Sequence, residues 1–286
     1  MADCNTSTAA TGAYSSDELY AALSSRPFVI AGPCVLEDYT LAEDTALAVA
    51  EAARAAGLFA VFKSSYDKAN RSSLSGFRGP GLKQGVEWLA RIREKSGLPV
   101  ITDIHEPHEV APVAEGVDIL QIPAFLSRQT SLLLEAASSG RVVNVKKGQF
   151  LAPWDVKPLL DKLYSTGNRK IMLTERGNSF GYNNLVVDMR SFPVMREFGV
   201  PVIMDATHAV QLPGGQGASS GGDRRYVPTL ARAAVAAGAD GVFMECHPNP
   251  DKAMCDGPNS LELKKLPGLL KELAALWSLS REYLKD

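Results

Sequence analysis

A chain of 286 residues, 45% hydrophobic and 22% charged, has ordinary globular composition and can bury a large core without disulfide or metal staples. Thirty basic against 32 acidic residues leave a net charge of -2, which excludes a whole-surface affinity for nucleic acid and confines any anion site to a local cluster. Cys4, Cys34, Cys246 and Cys255 form no CxxC pair, no apolar run reaches the roughly 18 residues of a membrane span, and the N-terminus does not read as a signal peptide, so a cytoplasmic protein is expected.

The polar lead MADCNTSTAATGAYSSDELYAAL runs into a short helix, and residues 1–25 are set apart as an N-terminal extension to one domain of residues 26–286. From there, short β-branched or aliphatic runs predict strands at 28–31, 58–63, 100–102, 119–122, 142–146, 170–174, 201–205 and 241–245. Segments such as 40–56, 81–95, 128–138 and 224–237 carry apolar residues at helical spacing, and 260–284 reads as the last helix with a tail. Helices between buried strands imply right-handed βαβ units and a parallel sheet. Eight units without a composition break predict a single (β/α)8 TIM barrel, a fold of roughly 250 residues. An open doubly wound sheet is the alternative, but no GxGxxG follows the first strand.

In such a barrel the chemistry sits where the strands end, because the βα loops meet there. The residues at those ends, in order, are Cys34, Lys63, Asp103, Gln121, Lys146, Arg176, His208 and Glu245. Cys34 in AGPC, His208 in DATHAVQLPGG, Glu245 in GVFMECHPNP and Asp256 in AMCDGP offer a thiolate, an imidazole and two carboxylates. A mixed S/N/O set of this kind suits one divalent ion, Fe²⁺, Zn²⁺ or Mn²⁺. Residue types alone leave a second reading open, with Cys34 a small buried side chain and His208 a loop histidine. Cys255 and His247 are rival ligands, whereas Cys246 alternates away from Glu245 and belongs to the barrel wall.

KSSYDKANRSS, after the second strand, gathers Lys63, Lys68 and Arg71 with Ser65, Asn70 and Ser72. Lys146 ends the fifth strand and Arg176 follows the sixth; Lys147 points the other way. Such cations in one cavity would repel unless a multiply charged phosphate or carboxylate filled it. The Gly/Ser-rich QLPGGQGASSGGDRR reads either as a lid or as a plain connection.

AGPC, FKSSYDKANRSS, TDIHEP, QIPAFLSRQT, NVKKGQFLAPWD, DATHAVQLPGG and GVFMECHPNPDKAMCDGP resemble the 3-deoxy-D-manno-octulosonate 8-phosphate synthase family, from about residue 28 to about residue 256. KANRSS marks that family, where related heptulosonate-phosphate synthases have a KPRTS-like segment. The resemblance implies condensation of phosphoenolpyruvate with D-arabinose 5-phosphate. Cys34, where the metal-independent branch has Asn, implies the metal-dependent branch, with Cys34, His208, Glu245 and Asp256 as ligands. It further implies that Lys63, Ser65, Lys68, Gln121, Lys146 and Arg176 hold phosphoenolpyruvate. Asn70, Arg71 and Ser72 then hold the sugar phosphate, which Arg128 reaches from a neighbouring subunit of a homotetramer. The rival activities are heptulosonate-phosphate synthesis from erythrose 4-phosphate, a class II-type metal aldolase, and a non-catalytic phosphosugar-binding barrel.

Overall fold

The computed structural model describes residues 14–70, 76–213 and 221–283. Eight strands run parallel in sequence order: β1 (Phe28–Gly32), β2 (Phe59–Lys63), β3 (Val100–Asp103), β4 (Ile119–Ile122), β5 (Val142–Lys146), β6 (Ile171–Glu175), β7 (Val202–Asp205) and β8 (Gly241–His247). Each pairs with the next, and β8 returns to β1 with Phe28 opposite Gly241 and Gly32 opposite Glu245, which closes the barrel. All eight expected strands are present with small shifts at their ends, and the last continues to His247.

Helices follow the strands: α2 (Tyr39–Ala56), α3 (Leu82–Ser96), α4 (Val110–Gly116), α5 (Thr130–Ser138), α6 (Lys157–Tyr164), α7 (Ser191–Arg196), α8 (Val227–Ala236) and α9 (Leu266–Tyr283), with α1 (Ser16–Ser25) ahead of β1. α2 shows why these segments are helical. Asp38 caps it by accepting from the Leu41 amide, Ala42, Ala46, Val49 and Ala53 form its buried stripe, and Gly57 ends it at φ 68°. Helix starts fall later than expected where other structure intervenes. Ala124–Leu126 forms a single 3-10 turn before α5, and Leu261–Glu262 pairs with β8 before α9 begins at the Leu266–Pro267 step. Among the described residues no helix is long and apolar enough to cross a membrane.

Alternation of side chains divides the core. One layer lies between barrel and helices; the other fills the barrel with Phe28, Ile30, Val61, Ile101, Ile119, Val142, Met172, Ile203 and Phe243. Leu19 and Leu23 of α1 join that inner layer, and the Tyr20 hydroxyl donates to the carbonyl of Ile171 where β6 begins. The described part of the N-terminal extension therefore stoppers the N-terminal mouth of the barrel. A Ser15/Glu18 capping box starts this helix.

Candidate active site

Above the apolar filling the same alternation brings polar side chains inward. Two residues beyond Ile30, Val61, Ile101, Ile119, Val142, Met172, Ile203 and Phe243 come Gly32, Lys63, Asp103, Gln121, Asn144, Thr174, Asp205 and Glu245. One step further on β5 and past β6 lie Lys146 and Arg176. The floor of the site is thus the inward position that follows the apolar layer on each strand. A Cβ at Gly32 would sit 2.0 Å from the Lys63 carbonyl, so only glycine lets β1 pass this close to β2 beneath Cys34.

Much of this polar layer is one hydrogen-bonded chain. Thr174 Oγ1 donates to Asn144 Oδ1 (2.8 Å), Asn144 Nδ2 to Gln121 Oε1 (2.9 Å), and Gln121 Nε2 to Asp103 Oδ1 (2.6 Å). Ser65 Oγ donates to the other oxygen of Asp103. All five are buried, so each partner offsets a desolvation cost and fixes an orientation. Lys63 Nζ lies 2.8 Å from Glu245 Oε1, 3.0 Å from the Cys34 carbonyl and 4.0 Å from Asp103 Oδ2. Burial works against the Lys63 ammonium, but Glu245 and Asp103 outweigh it and hold its pKa above the ordinary value. Burial likewise opposes the Glu245 and Asp103 carboxylates, and the facing cations pull both well below the usual range.

The four expected metal ligands converge from three distant stretches of chain. Cys34, Cys255 and Asp256 place ligand atoms within 4.8 Å of one another, and His208, Glu245 and Asp256 do the same, with Asp256 common to both groups. The Cys34 thiol donates to Asp256 Oδ2 at 3.3 Å. His208 Nδ1 lies 2.8 Å from Asp205 Oδ2, which assigns the ring proton to Nδ1 and turns the Nε2 lone pair toward Glu245 Oε1 (3.7 Å) and Asp256 Oδ2 (3.8 Å). Glu245 Oε2 is buried with no hydrogen-bond partner. Asp256 holds a left-handed φ of 47°, a strained conformation of the kind found at ligand-holding positions. A divalent cation fits this set, because it would satisfy the orphaned Glu245 oxygen and the free Nε2 together. Burial, followed by Cys255 and Glu245, pushes the Cys34 thiol well above its ordinary pKa, so it becomes a thiolate only with a cation beside it.

A cavity of about 550 Å³ opens over this floor, lined among others by Lys63, Lys68, Asn70, Lys146, Arg176 and His208. Several of its cations already have partners from the protein. Glu245 pairs with Lys63, and Asp205 with Lys146 at 2.7 Å; Arg176 Nη2 donates to Gln211 Oε1 (2.8 Å). Arg176 Nη1 is buried without a hydrogen-bond partner, and burial lowers the pKa of the group without neutralising it. Lys147 points away from the cavity, as alternation requires. Cys246 lies in the outer core, its thiol pushed up to about 12 by burial. Arg128 is exposed ahead of α5 and is not among the cavity-lining residues. Arg71 and Ser72 lie outside the described residues, as does the 214–220 part of the suggested lid.

Sequence reasoning missed Asp205, which joins Lys146 to His208, and Gln211, which joins Arg176 to Asp256 with Nε2 3.3 Å from Oδ1. The inward register of β7 was the available signal for Asp205; nothing local marks Gln211.

The sequence model of the DAHP synthetase I family matches residues 16–282. Curated relatives bear the name 2-dehydro-3-deoxyphosphooctonate aldolase. One from Nitratidesulfovibrio vulgaris (strain DP4) is 71% identical over 263 residues, covering 92% of this chain and 96% of its own length. Another, from Geobacter metallireducens, is 61% identical over 253 residues, covering 88% and 93%. A third, from Desulfatibacillum aliphaticivorans, is 58% identical over 248 residues, covering 87% and 91%.

Proposed function

The chain belongs to the DAHP synthetase I family, and from that premise we propose that it joins phosphoenolpyruvate, D-arabinose 5-phosphate and water into 3-deoxy-D-manno-octulosonate 8-phosphate, releasing phosphate. The curated relatives, sharing up to 71% identity, carry the name of that activity. Carbon 3 of the enol forms the new bond to the sugar aldehyde, whose oxygen takes up a proton. Water adds at carbon 2 and its oxygen becomes the keto oxygen, giving up two protons: one balances the proton taken by the aldehyde oxygen, and the other goes to phosphate as the C–O bond to phosphate breaks.

The observation that carries this reading is one cavity holding an unpartnered arginine N–H beside an S/N/O ligand set. Arg176 Nη1 takes an anionic oxygen of phosphoenolpyruvate, and Lys146, held 2.7 Å from Asp205, stands beside it as a second cation. Gln121 has one Nε2 hydrogen left after donating to Asp103, and Lys63 and Lys68 flank Glu245. Lys63, Ser65, Lys68, Gln121, Lys146 and Arg176 together hold phosphoenolpyruvate, while Asn70, Arg71 and Ser72 hold the sugar phosphate. Cys34, His208, Glu245 and Asp256 hold a divalent Fe²⁺, Zn²⁺ or Mn²⁺, which when bound supplies Lewis-acid polarisation or water activation. Lys146, Cys34, His208 and Asp256 are the catalytic residues. The enzyme acts in the cytoplasm as a homotetramer, with Arg128 reaching the sugar phosphate of a neighbour, and residues 26–286 form its catalytic domain.

Phosphate release assayed with each substrate alone, with both, and with erythrose 4-phosphate in place of the pentose phosphate tests the reading. Release only with phosphoenolpyruvate and arabinose 5-phosphate together supports it. Preference for erythrose 4-phosphate would transfer the chain to heptulosonate-phosphate synthesis, and no release with either sugar would leave a binding barrel.

A further inference from the structure

Behind the cavity, on the outer face of the barrel wall, lies a buried ion pair to which the reaction assigns no role. Lys147 follows Lys146 and points outward between β5 and β6. It is completely buried. Its ammonium donates to Asn178 Oδ1 (2.6 Å), the Leu151 carbonyl (3.0 Å) and the Gly148 carbonyl (3.3 Å), and lies 3.5 Å from Glu175 Oε2. Glu175, the outward residue at the end of β6, uses its other oxygen to accept from the backbone amides of Arg176 (2.9 Å) and Gly177 (2.7 Å). Asn178 Nδ2 returns to the Leu151 carbonyl at 2.8 Å, and the Ser179 amide donates to the Gln149 carbonyl at 3.0 Å. The 148–151 turn is therefore wrapped around one ammonium, and the 176–179 segment is tied to the same centre.

A surface lysine would do none of this. Burying the charge costs free energy, and the hydrogen bonds and ion pair offset that cost only in one geometry. Burial pushes the Lys147 pKa down and Glu175 counters it. The residues fixed by this geometry are those that face the substrate. Lys146 precedes Lys147, Gln149 lies inside the wrapped turn and lines the cavity, and Arg176 hangs its backbone amide on Glu175.

We propose that Lys147, Glu175 and Asn178 form a positioning clamp that sets the separation of Lys146 and Arg176, so that affinity for phosphoenolpyruvate depends on side chains that never touch it. This rests on the reading of Lys146 and Arg176 as the groups that hold phosphoenolpyruvate. Among the described residues of the segment after β2, neither Lys68 nor Asn70 is hydrogen-bonded to the 148–151 or 176–179 turn, so the clamp is expected to act on phosphoenolpyruvate and spare the pentose phosphate.

The test is calorimetric binding of phosphoenolpyruvate alone, beside steady-state KM values for both substrates, in wild type, the double variant Lys147→Met/Glu175→Gln, and Asn178→Ala. The double variant removes both charges together, so that neither is left buried alone. Asn178→Ala leaves the ion pair and the Ser179–Gln149 backbone bond intact and breaks the side-chain tie between the turns. The expected result is cooperative unfolding in both variants and a KM for arabinose 5-phosphate within twofold of wild type. The Kd and KM for phosphoenolpyruvate rise at least tenfold in the double variant and at least threefold in Asn178→Ala. A folded double variant whose Kd for phosphoenolpyruvate stays within twofold overturns the proposal, as does an equal rise in both KM values. Should the double variant not fold, an unchanged Kd in Asn178→Ala overturns it alone. Wild type that binds phosphoenolpyruvate but releases no phosphate contradicts the proposed reaction, while the clamp is still decided by the Kd values. Wild type that does not bind it contradicts both.

Discussion

Asp205 is the carboxylate on which most of the site leans. It takes Lys146 at 2.7 Å and His208 Nδ1 at 2.8 Å on one oxygen, and Thr207 Oγ1 and the His208 amide on the other. Asp205→Asn keeps the shape but removes the charge that holds both partners. Retention of metal after dialysis, read as metal per chain, is expected to fall by about 10–100-fold in affinity. Phosphate release is expected to fall by about 10²–10³-fold; wild-type values in both assays would show that Asp205 is incidental. Asp103 and Glu109 predict the acid limb of stability. Burial opposes both carboxylates. Lys63 and Lys68 nonetheless hold Asp103 well below the carboxylate range, and hydrogen bonds from His105 and neighbours hold Glu109 at about 2. Their contribution is complete above the unfolded values of 3.8 and 4.5 and is lost as pH falls through the lower folded values. The urea midpoint should therefore be flat near neutrality and drop below about pH 4; a midpoint that rises on acidification would be inconsistent with these pairings. Residue identity was legible where chemistry or alternation restricts the choice, as at Cys34, His208 and the inward Lys146. Partner choice was not, because nothing in DATH says which cations the inward Asp205 will meet until β5 and β7 are placed near each other.

The α1 helix makes the same point about elements. Its capping box and apolar spacing announce a helix, but nothing in SDELYAALSS says that Leu19 and Leu23 complete the filling of the barrel. Leu23→Ala should cost about 2–5 kcal/mol of stability by opening a cavity at that end. The check is a urea unfolding curve alongside kcat, which should change little because the chemistry lies at the opposite mouth. An unaltered midpoint would mean that the stopper carries no load. The barrel strands were legible because buried parallel strands are short aliphatic runs between helical repeats. The two-residue ladders, Asn178–Ser179 with Leu185–Val186 and Gln211–Leu212 with Gly221–Gly222, were not; so short a pairing has no period to detect. The second brings Gln211 to the cavity, and the first begins at the Asn178 of the clamp.

At the scale of the molecule, closure creates the site. Cys34, His208, Glu245 and Asp256 match no short metal motif, and only the return of β8 to β1 brings their loops together. The fold, and the meeting of the four candidate ligands, were readable from sequence because eight strand ends in a barrel must converge; the compensating carboxylates were not, since they balance charges supplied by other strands. Arg128 is exposed and does not line the cavity of its own chain, so its proposed role lies with a neighbouring subunit. Arg128→Ala should raise the KM for arabinose 5-phosphate about tenfold or more, as expected for a lost charge-assisted phosphate contact, and leave that for phosphoenolpyruvate within about twofold. A chain that sediments as a monomer while fully active would contradict the shared arginine. The central claim is metal-assisted condensation of these two substrates. Its most direct measurement is phosphate release from phosphoenolpyruvate and arabinose 5-phosphate before chelation, after verified metal removal, and after adding back Mn²⁺, Zn²⁺ or Fe²⁺. Activity lost with the metal and restored by one equivalent per chain is the predicted result; full activity in the demonstrably metal-free protein would contradict it.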